Sequence, residues 1–157
     1  MASVREAPAW KFHVFLSFRG EDTRNGFTDH LYAAFRGLGF AVFRDDEELE
    51  RGEVIALALL EAIEVSLCSV VVLSPRYASS RWCLNELLKI LESRAEFGRH
   101  VLPIFYDVDP SDVRHQRGSF ADAFAKHVER FGSCEVRRWR QALKDVADLS
   151  GWTSKDK

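Results

Sequence analysis

The stretch LCSVVVLSPRYASSRWCLNELLKILESR, from Leu67 to Arg94, predicts a buried strand, a polar loop and an amphipathic helix, in that order. Its beginning is a short and nearly continuous apolar run, which is typical of a strand that is covered on both faces. Its end places leucines at helical spacing, at Leu84, Leu87, Leu88 and Leu91. Because such a stripe faces a core, we expect the helix to pack against the strand, as in a βαβ unit.

Trp82 and Glu86 lie one turn apart on the same helix, and at about 100° per residue both fall away from the leucine stripe. The loop from Ser74 to Arg81 brings them to the edge where parallel strands end. Open α/β sheets bind ligands outside this edge, so we predict that the pair belongs to a ligand site. The alternative is structural: a carboxylate that complements the helix dipole, beside a tryptophan that covers the core.

The rest of the chain alternates in the same way, which predicts one α/β domain with a parallel sheet. Further strands are predicted at 12–18, 40–44 and 100–108. Further helices are predicted at 27–39, 54–64, 120–131 and 135–150. Residues 109–119 have the pattern of a loop, and the tail GWTSKDK, from Gly151, has that of a frayed end. A fifth strand is not legible from the pattern.

Composition excludes several classes of protein. The 157 residues are 46% hydrophobic and 29% charged, which suits one domain with a real core. The net charge of -2 argues against a nucleic-acid or membrane surface. Three cysteines without a CxxC spacing argue for a reducing compartment and against zinc. No secretory or membrane segment is legible, so we expect the cytoplasm or the nucleus.

Common nucleotide and phosphate motifs do not fit. The loop GEDTRNGF lacks the spacing and the lysine of a P-loop, and no GxGxxG follows the first strand. The acidic residues that a receiver domain needs are replaced by SFRG and VVLS. A calcium loop at 107–118 fails because Asp112 stands where the glycine is required. No Ser-His-Asp arrangement is legible from spacing.

Four stretches carry a resemblance to a known family. They are FHVFLSFRGEDTRNGFTDHLY, FRDDEELERGE, SPRYASSRWCLNELLKILE and VLPIFYDVDPSDVRHQRGSFADAF. In this order and spacing they closely resemble the TIR domains (Toll/interleukin-1 receptor type) of plant immune receptors, over residues 10–152. The resemblance implies a flavodoxin-like fold with a central parallel sheet of five strands. Residues 1–9 and 153–157 are expected to be flexible termini.

The resemblance also implies an activity. Several such domains cleave the nicotinamide glycosidic bond of NAD when they self-associate, and their catalytic glutamate corresponds to Glu86 in WCLNEL. NAD, or NADP, would be the substrate, with no cofactor and no metal. The residues expected to bind substrate are Arg19, Gly20, Trp82, Cys83, Asp46 and Arg51. Two alternatives stay open: Cys83 as a small packing residue, and Arg19 as the ion-pair partner of Glu21 or Asp22.

Self-association is the second implied property, through contacts with other copies or other TIR domains. The family's first helix often carries a Ser-His pair in a symmetric contact, and here the pair is Asp29-His30. The partner helix is expected at 137–145, with Trp139 as its anchor. Two other functions remain: a non-catalytic TIR–TIR scaffold, and cyclic-nucleotide synthesis from nucleic acid involving Cys83. The acidic balance disfavours nucleic acid.

Overall fold

The computed structural model of the protein describes residues 6–23, 26–44 and 53–153. Strands and helices alternate along this part of the chain. The strands are β1 Phe12–Ser17, β2 Val42–Arg44, β3 Ser66–Leu73, β4 His100–Phe105 and β5 Trp152–Thr153. The helices are α1 Gly20–Thr23, α2 Phe27–Gly37, α3 Glu53–Glu64, α4 Arg81–Phe97, α5 Pro110–His115, α6 Ser119–Arg130 and α7 Ser133–Ala147.

The strands form a parallel five-stranded sheet in the order β2-β1-β3-β4-β5, which confirms the expected fold class. Ser17, the last residue of β1, pairs with Val71 on β3. The strand order reverses between β1 and β3, because β2 lies on one side of β1 and the later strands on the other. In doubly wound sheets such a switch point opens a crevice at the carboxyl ends of the strands.

The sheet separates two apolar layers, and alternate residues of its strands face opposite layers. Phe15, Val71 and Phe105 face the larger layer, which α3, α4, α6 and α7 cover. Val14 and Val70 face the smaller layer, which α2 covers. The near-continuous apolar strands therefore follow from burial of both faces.

Helix α4 begins at the carboxyl edge of the sheet and has a defined cap at each end. Ser80 is the N-cap, and its Oγ accepts a hydrogen bond from the Cys83 backbone N–H at 3.1 Å. Gly98 ends the helix with φ 72°, a left-handed conformation that glycine adopts without strain. The caps fix where the helix starts, and so where Trp82 and Glu86 lie.

Two predictions from the pattern are wrong. Residues 109–119 are not simply a loop, because Asp109 caps the short helix α5 by accepting from the Ser111 backbone N–H, with Pro110 in the first turn. The tail is not wholly frayed, because Trp152–Thr153 pairs with β4 as the fifth strand. A Cβ on the preceding Gly151 would lie 2.2 Å from the Pro103 carbonyl oxygen, so only glycine permits this approach.

No helix in the described ranges is long and apolar enough to cross a membrane.

Candidate functional site at the carboxyl edge of the sheet

Glu86 lies on the buried side of α4, contrary to the prediction that it faces away from the core. Its side chain is 2% exposed, in a helix whose buried residues also include Cys83, Leu87 and Ile90. The helix is rolled relative to the leucine stripe, so that Leu88 is only partly buried. Glu86 is also the sixth residue of α4, beyond the first turn where the helix dipole acts. The dipole therefore does not explain a carboxylate here.

Two buried hydroxyl groups connect Glu86 to the strands. Ser17 Oγ donates to Glu86 Oε1 at 2.9 Å. Ser17 Oγ also lies 2.7 Å from Tyr77 Oη, which in turn donates to the Cys83 carbonyl oxygen at 3.2 Å. Both side chains are fully buried, so water does not compete for these contacts. Neither residue was predicted to belong to the site, although Ser17 is the only hydroxyl residue in the apolar run FHVFLSF.

The register of the sheet places this cluster at the switch point. Ser17 ends β1 beside Val71 of β3, and Tyr77 lies in a single 3-10 turn, Tyr77–Ser79, shortly after β3. Ser17 follows Phe15 by two residues, so both point toward the layer that contains α4. The buried carboxylate therefore lies at the switch point, the place where doubly wound sheets bind ligands.

Asp22 joins the two loops that border this edge. Its Oδ2 accepts from Ser74 Oγ at 2.6 Å and from the Arg76 backbone N–H at 2.7 Å. Arg76 Nε also lies 3.4 Å from Asp22 Oδ1, so the two side chains form an ion pair. Arg19 is half-buried and Gly20 is buried at the start of α1. These contacts of Asp22 hold the Arg19–Gly20 segment against the loop after β3.

Trp82 and Cys83 differ in what they can reach. Trp82 is partly buried and packs against the larger core layer, which leaves part of its ring accessible. Cys83 is 1% exposed, and its Sγ donates to the Phe18 carbonyl oxygen at 3.6 Å. Cys83 therefore has the packing role in this structure, and its contact with substrate stays a prediction. Asp46 and Arg51 lie outside the described residues.

Comparison with known proteins identifies the family. A sequence model of the family described as TIR domain matches residues 11–157. The chain belongs to the TIR domain family. The structure is similar to the TIR domains of the activated Roq1 resistosome, which is described as directly recognizing the pathogen effector XopQ. That match has a TM-score of 0.85 and 48% identity and covers 94% of this chain and 90% of the other.

Plant disease resistance proteins contain similar TIR domains. The chain is 57% identical over 141 residues to disease resistance protein RPV1 of Vitis rotundifolia, covering 90% of this chain and 10% of that protein. It is 50% identical over 153 residues to TMV resistance protein N of Nicotiana glutinosa, covering 96% of this chain and 13% of that protein. The TIR domain thus spans about a tenth of the length of these relatives.

The residues predicted for self-association of the TIR domain are separated by the sheet. His30 is exposed on α2, with Nδ1 2.8 Å from the Gly26 carbonyl oxygen. Asp29 accepts from Arg44 Nη1 at 2.7 Å within the same molecule. Trp139 is 0% exposed in the opposite layer and donates through Nε1 to Asn85 Oδ1 at 3.0 Å. The prediction that Trp139 anchors a partner is wrong, because a fully enclosed side chain cannot touch a second molecule.

The pKa values of Cys68 and Lys89 are both shifted from their ordinary values. Burial raises the pKa of the Cys68 thiol, which keeps it protonated at neutral pH and makes it a poor nucleophile. Desolvation would lower the pKa of Lys89, but hydrogen bonds to Glu64 and Glu92 and their charges outweigh it and raise the pKa. The Lys89–Glu64 ion pair thereby ties α3 to α4. In the described ranges, no group of three or more His, Cys, Asp or Glu residues could hold a metal ion.

Proposed function

We propose that this TIR domain hydrolyses the nicotinamide–ribose bond of NAD when copies of it associate, as part of plant immune signalling in the cytoplasm or nucleus. The observation that supports this most strongly is the Glu86 carboxylate, buried and held by Ser17 at the switch point of the sheet. Glutamate is rarely buried to this degree in soluble proteins, because desolvation of its charge is costly. A functional role accounts for its position.

One carboxylate is enough for this reaction. Glycoside hydrolysis normally uses two carboxyl groups, one of which protonates a poor leaving group. Nicotinamide joined through its ring nitrogen is cationic, so the bond breaks with its electron pair moving to a neutral product. What needs stabilisation is the positive charge on the ribose, and a preorganised carboxylate provides it. Water then adds to the ribose carbon, with loss of a proton, and forms an ADP-ribose product.

The other predicted residues have supporting roles in the proposal. The accessible part of the Trp82 ring offers a stacking surface for nicotinamide or adenine. Arg19 follows the end of β1, where a guanidinium is suited to bind a phosphate of the substrate. The backbone of Gly20 lies in the same segment, and the hydrogen bonds of Asp22 to Ser74 and Arg76 hold that segment in place. Asp46 and Arg51, which follow β2 in the sequence, stay in the proposal as substrate contacts.

The proposal that association matters draws on the solved relative. The Roq1 TIR domains are found in an activated resistosome, and their fold matches this chain at a TM-score of 0.85. The names of RPV1 and protein N support a role in disease resistance for the protein to which this domain belongs. Association of copies would bring further surfaces to the open side of the switch-point crevice.

The test is release of nicotinamide from NAD at high protein concentration, by the original protein and by Glu86→Gln. Glutamine keeps the size of the side chain and an oxygen that accepts from Ser17, but it carries no charge. We expect a loss of about 100-fold or more in turnover, by comparison with other preorganised electrostatic groups. Glu96→Gln is the matched control, since Glu96 is exposed on the same helix, and it should cleave NAD normally.

Two results would contradict the proposal. Equal turnover by the original protein and Glu86→Gln would remove Glu86 from the mechanism. No nicotinamide release by the original protein, under conditions where light scattering shows it associated, would support the non-catalytic scaffold instead. Cyclic-nucleotide synthesis through Cys83 is not favoured, because that thiol is buried against the Phe18 carbonyl group.

A further inference from the structure

Three successive oxygen–oxygen contacts form a chain from Glu86 into the core. Glu86 Oε1 is 2.9 Å from Ser17 Oγ, which is 2.7 Å from Tyr77 Oη, which is 3.2 Å from the Cys83 carbonyl oxygen. The three side chains come from α4, from the end of β1 and from the turn after β3. Each contact is a hydrogen bond only if a hydrogen lies between its two oxygens.

The number of hydrogens in this chain of contacts depends on the charge of Glu86. Each hydroxyl carries one hydrogen, and the Cys83 carbonyl group has none to give. An ionised Glu86 leaves two hydrogens for three contacts. The longest contact, from Tyr77 to the carbonyl oxygen, is beyond the usual O–H···O range and is the one that loses its hydrogen. Tyr77 then donates to Ser17, and Ser17 donates to the carboxylate.

A protonated Glu86 reverses the direction of the chain of contacts. Its own hydrogen points to Ser17, Ser17 donates to Tyr77, and Tyr77 donates to the Cys83 carbonyl oxygen. All three contacts then hold a hydrogen without movement of any heavy atom. Hydroxyl groups can rotate in this way because they both donate and accept, which a backbone N–H or an amide cannot do.

We propose that Ser17 and Tyr77 are positioning residues for Glu86, a pair of hydroxyls that holds its carboxyl group in one orientation in either state of charge. The inference rests on the proposed function, because it concerns the same carboxylate. A buried carboxylate that must face a developing positive charge needs a fixed direction, and hydrogen bonds within a buried polar network supply one. Neither hydroxyl has to touch the substrate for this effect.

Other charged or titratable groups border the same region. They are Arg19 and Asp22 after β1, Arg76 after β3 and Cys83 on α4, with residues 45–52 outside the described ranges. Asp22 is bound by Ser74 and Arg76, and Cys83 donates to the Phe18 carbonyl oxygen. The contacts given for Asp22 and for the Cys83 thiol involve neither the Ser17 nor the Tyr77 hydroxyl. A comparison of variants therefore isolates the effect of the hydroxyl pair.

The experiment measures NAD cleavage against pH for Ser17→Ala and Tyr77→Phe. We expect kcat of Ser17→Ala to fall roughly tenfold, the loss of one hydrogen bond to a charged group. KM should stay within about twofold, because no substrate contact is removed. The hydrogen bond that Ser17 donates to the ionised carboxylate is charge-assisted and stronger than the one it accepts from the neutral acid. Its loss should therefore move the acid limb of the kcat profile to higher pH. Tyr77→Phe should shift in the same direction by less.

Matched controls exist for both substitutions. Ser69→Ala removes a buried hydroxyl from β3, and Tyr106→Phe removes a tyrosine hydroxyl from the segment after β4. Both should retain the original pH profile. If Ser17→Ala and Tyr77→Phe also keep the original kcat and acid limb, the positioning role is overturned.

A second readout does not depend on NAD cleavage. The infrared band of protonated Glu86, identified by subtraction of the Glu86→Gln spectrum, gives the titration of the carboxyl group without substrate. A midpoint at higher pH in Ser17→Ala supports the positioning role even if the domain proves to cleave no NAD. An unchanged midpoint in an active enzyme overturns the positioning role and leaves the proposed function standing.

Discussion

Glu86 and Trp139 are both buried, contrary to the exposed positions predicted for them. The carboxylate is buried beside Ser17, and the tryptophan that was expected to anchor a partner is enclosed by the protein's own core. Trp139 satisfies its N–H through Asn85, so its burial leaves no polar group unpaired there. Burial of Glu86 instead costs the desolvation of a carboxylate, with little apolar surface buried in return. The costly burial of Glu86 therefore indicates a functional group, whereas the favourable burial of Trp139 indicates a core residue.

The buried hydroxyl of Ser93 should lower the stability of the folded protein. Its hydroxyl is buried on α4 and has no hydrogen-bond partner among the described residues. Ser93→Ala should raise the free energy of unfolding by about 1 kcal/mol, because it removes an unsatisfied polar group and favours the helix. Urea denaturation measures this. Ser66→Ala is the contrasting variant: Ser66 Oγ donates to the Ala62 carbonyl oxygen, so its loss should be destabilising. A lower stability for Ser93→Ala would contradict the assignment.

Among the elements, α4 carries most of the site, and its ends decide where the site lies. Its N-terminus is set by Ser80 and its C-terminus by Gly98. Lys89, whose hydrogen bonds and ion pairs raise its pKa, joins its middle to α3. Because that pKa lies above the ordinary value of 10.5, the pair stabilises the folded state at neutral pH and is lost only as pH rises through the shifted value.

The left-handed conformation of Gly98 at the end of α4 should contribute to stability. Nothing lies within 4 Å of a Cβ built there, so the substitution Gly98→Ala tests only the left-handed φ of 72°. We expect the free energy of unfolding to fall by about 1 kcal/mol, with NAD cleavage unchanged in the folded protein. Thermal unfolding measures the change. Gly37→Ala is the control, since Gly37 is helical and equally open, and it should not destabilise. Equal effects of the two variants would show that the C-cap does not depend on the left-handed residue.

For the whole molecule, the two layers differ in how they are covered. Helices α3, α4, α6 and α7 cover the larger layer, and α2 covers the smaller one among the described residues. The predicted contact residues Asp29 and His30 lie on α2, and the Asp29–Arg44 ion pair ties that helix to the end of β2. Helix α7 lies on the other face, so a contact that used both helices would join opposite faces of two copies.

His30→Ala provides the prediction at this scale. If α2 is a contact surface, the variant should reduce the mass seen by light scattering at high concentration, because it removes an exposed ring from the interface. His115→Ala is the matched control, since His115 is exposed on α5, which packs with α7 on the other face. Association unchanged in His30→Ala, or reduced equally in both variants, would exclude this interface.

Local patterns predicted most of the fold. Periodicity located α2, α3, α4, α6 and α7 and the strands β1 to β4, because each buries a regular apolar face and its sequence must show that period. The pattern failed for β5, a two-residue strand defined by the pairing of Trp152 with Ile104 and of Thr153 with Phe105. It failed for α5 as well, because a six-residue helix is specified by its cap and proline rather than by periodicity.

The alternation of strands and helices, the parallel sheet and the presence of Glu86 in a helix at the carboxyl edge all follow from the amino-acid pattern. The burial of Glu86, its contacts with Ser17 and Tyr77, and the packing of Cys83 and Trp139 depend on the assembled fold. The reason is sequence separation: Ser17 and Glu86 are 69 residues apart. Local periodicity reports the face that a segment buries, whereas a contact between segments depends on register, helix roll and capping, which exist only once the sheet is assembled.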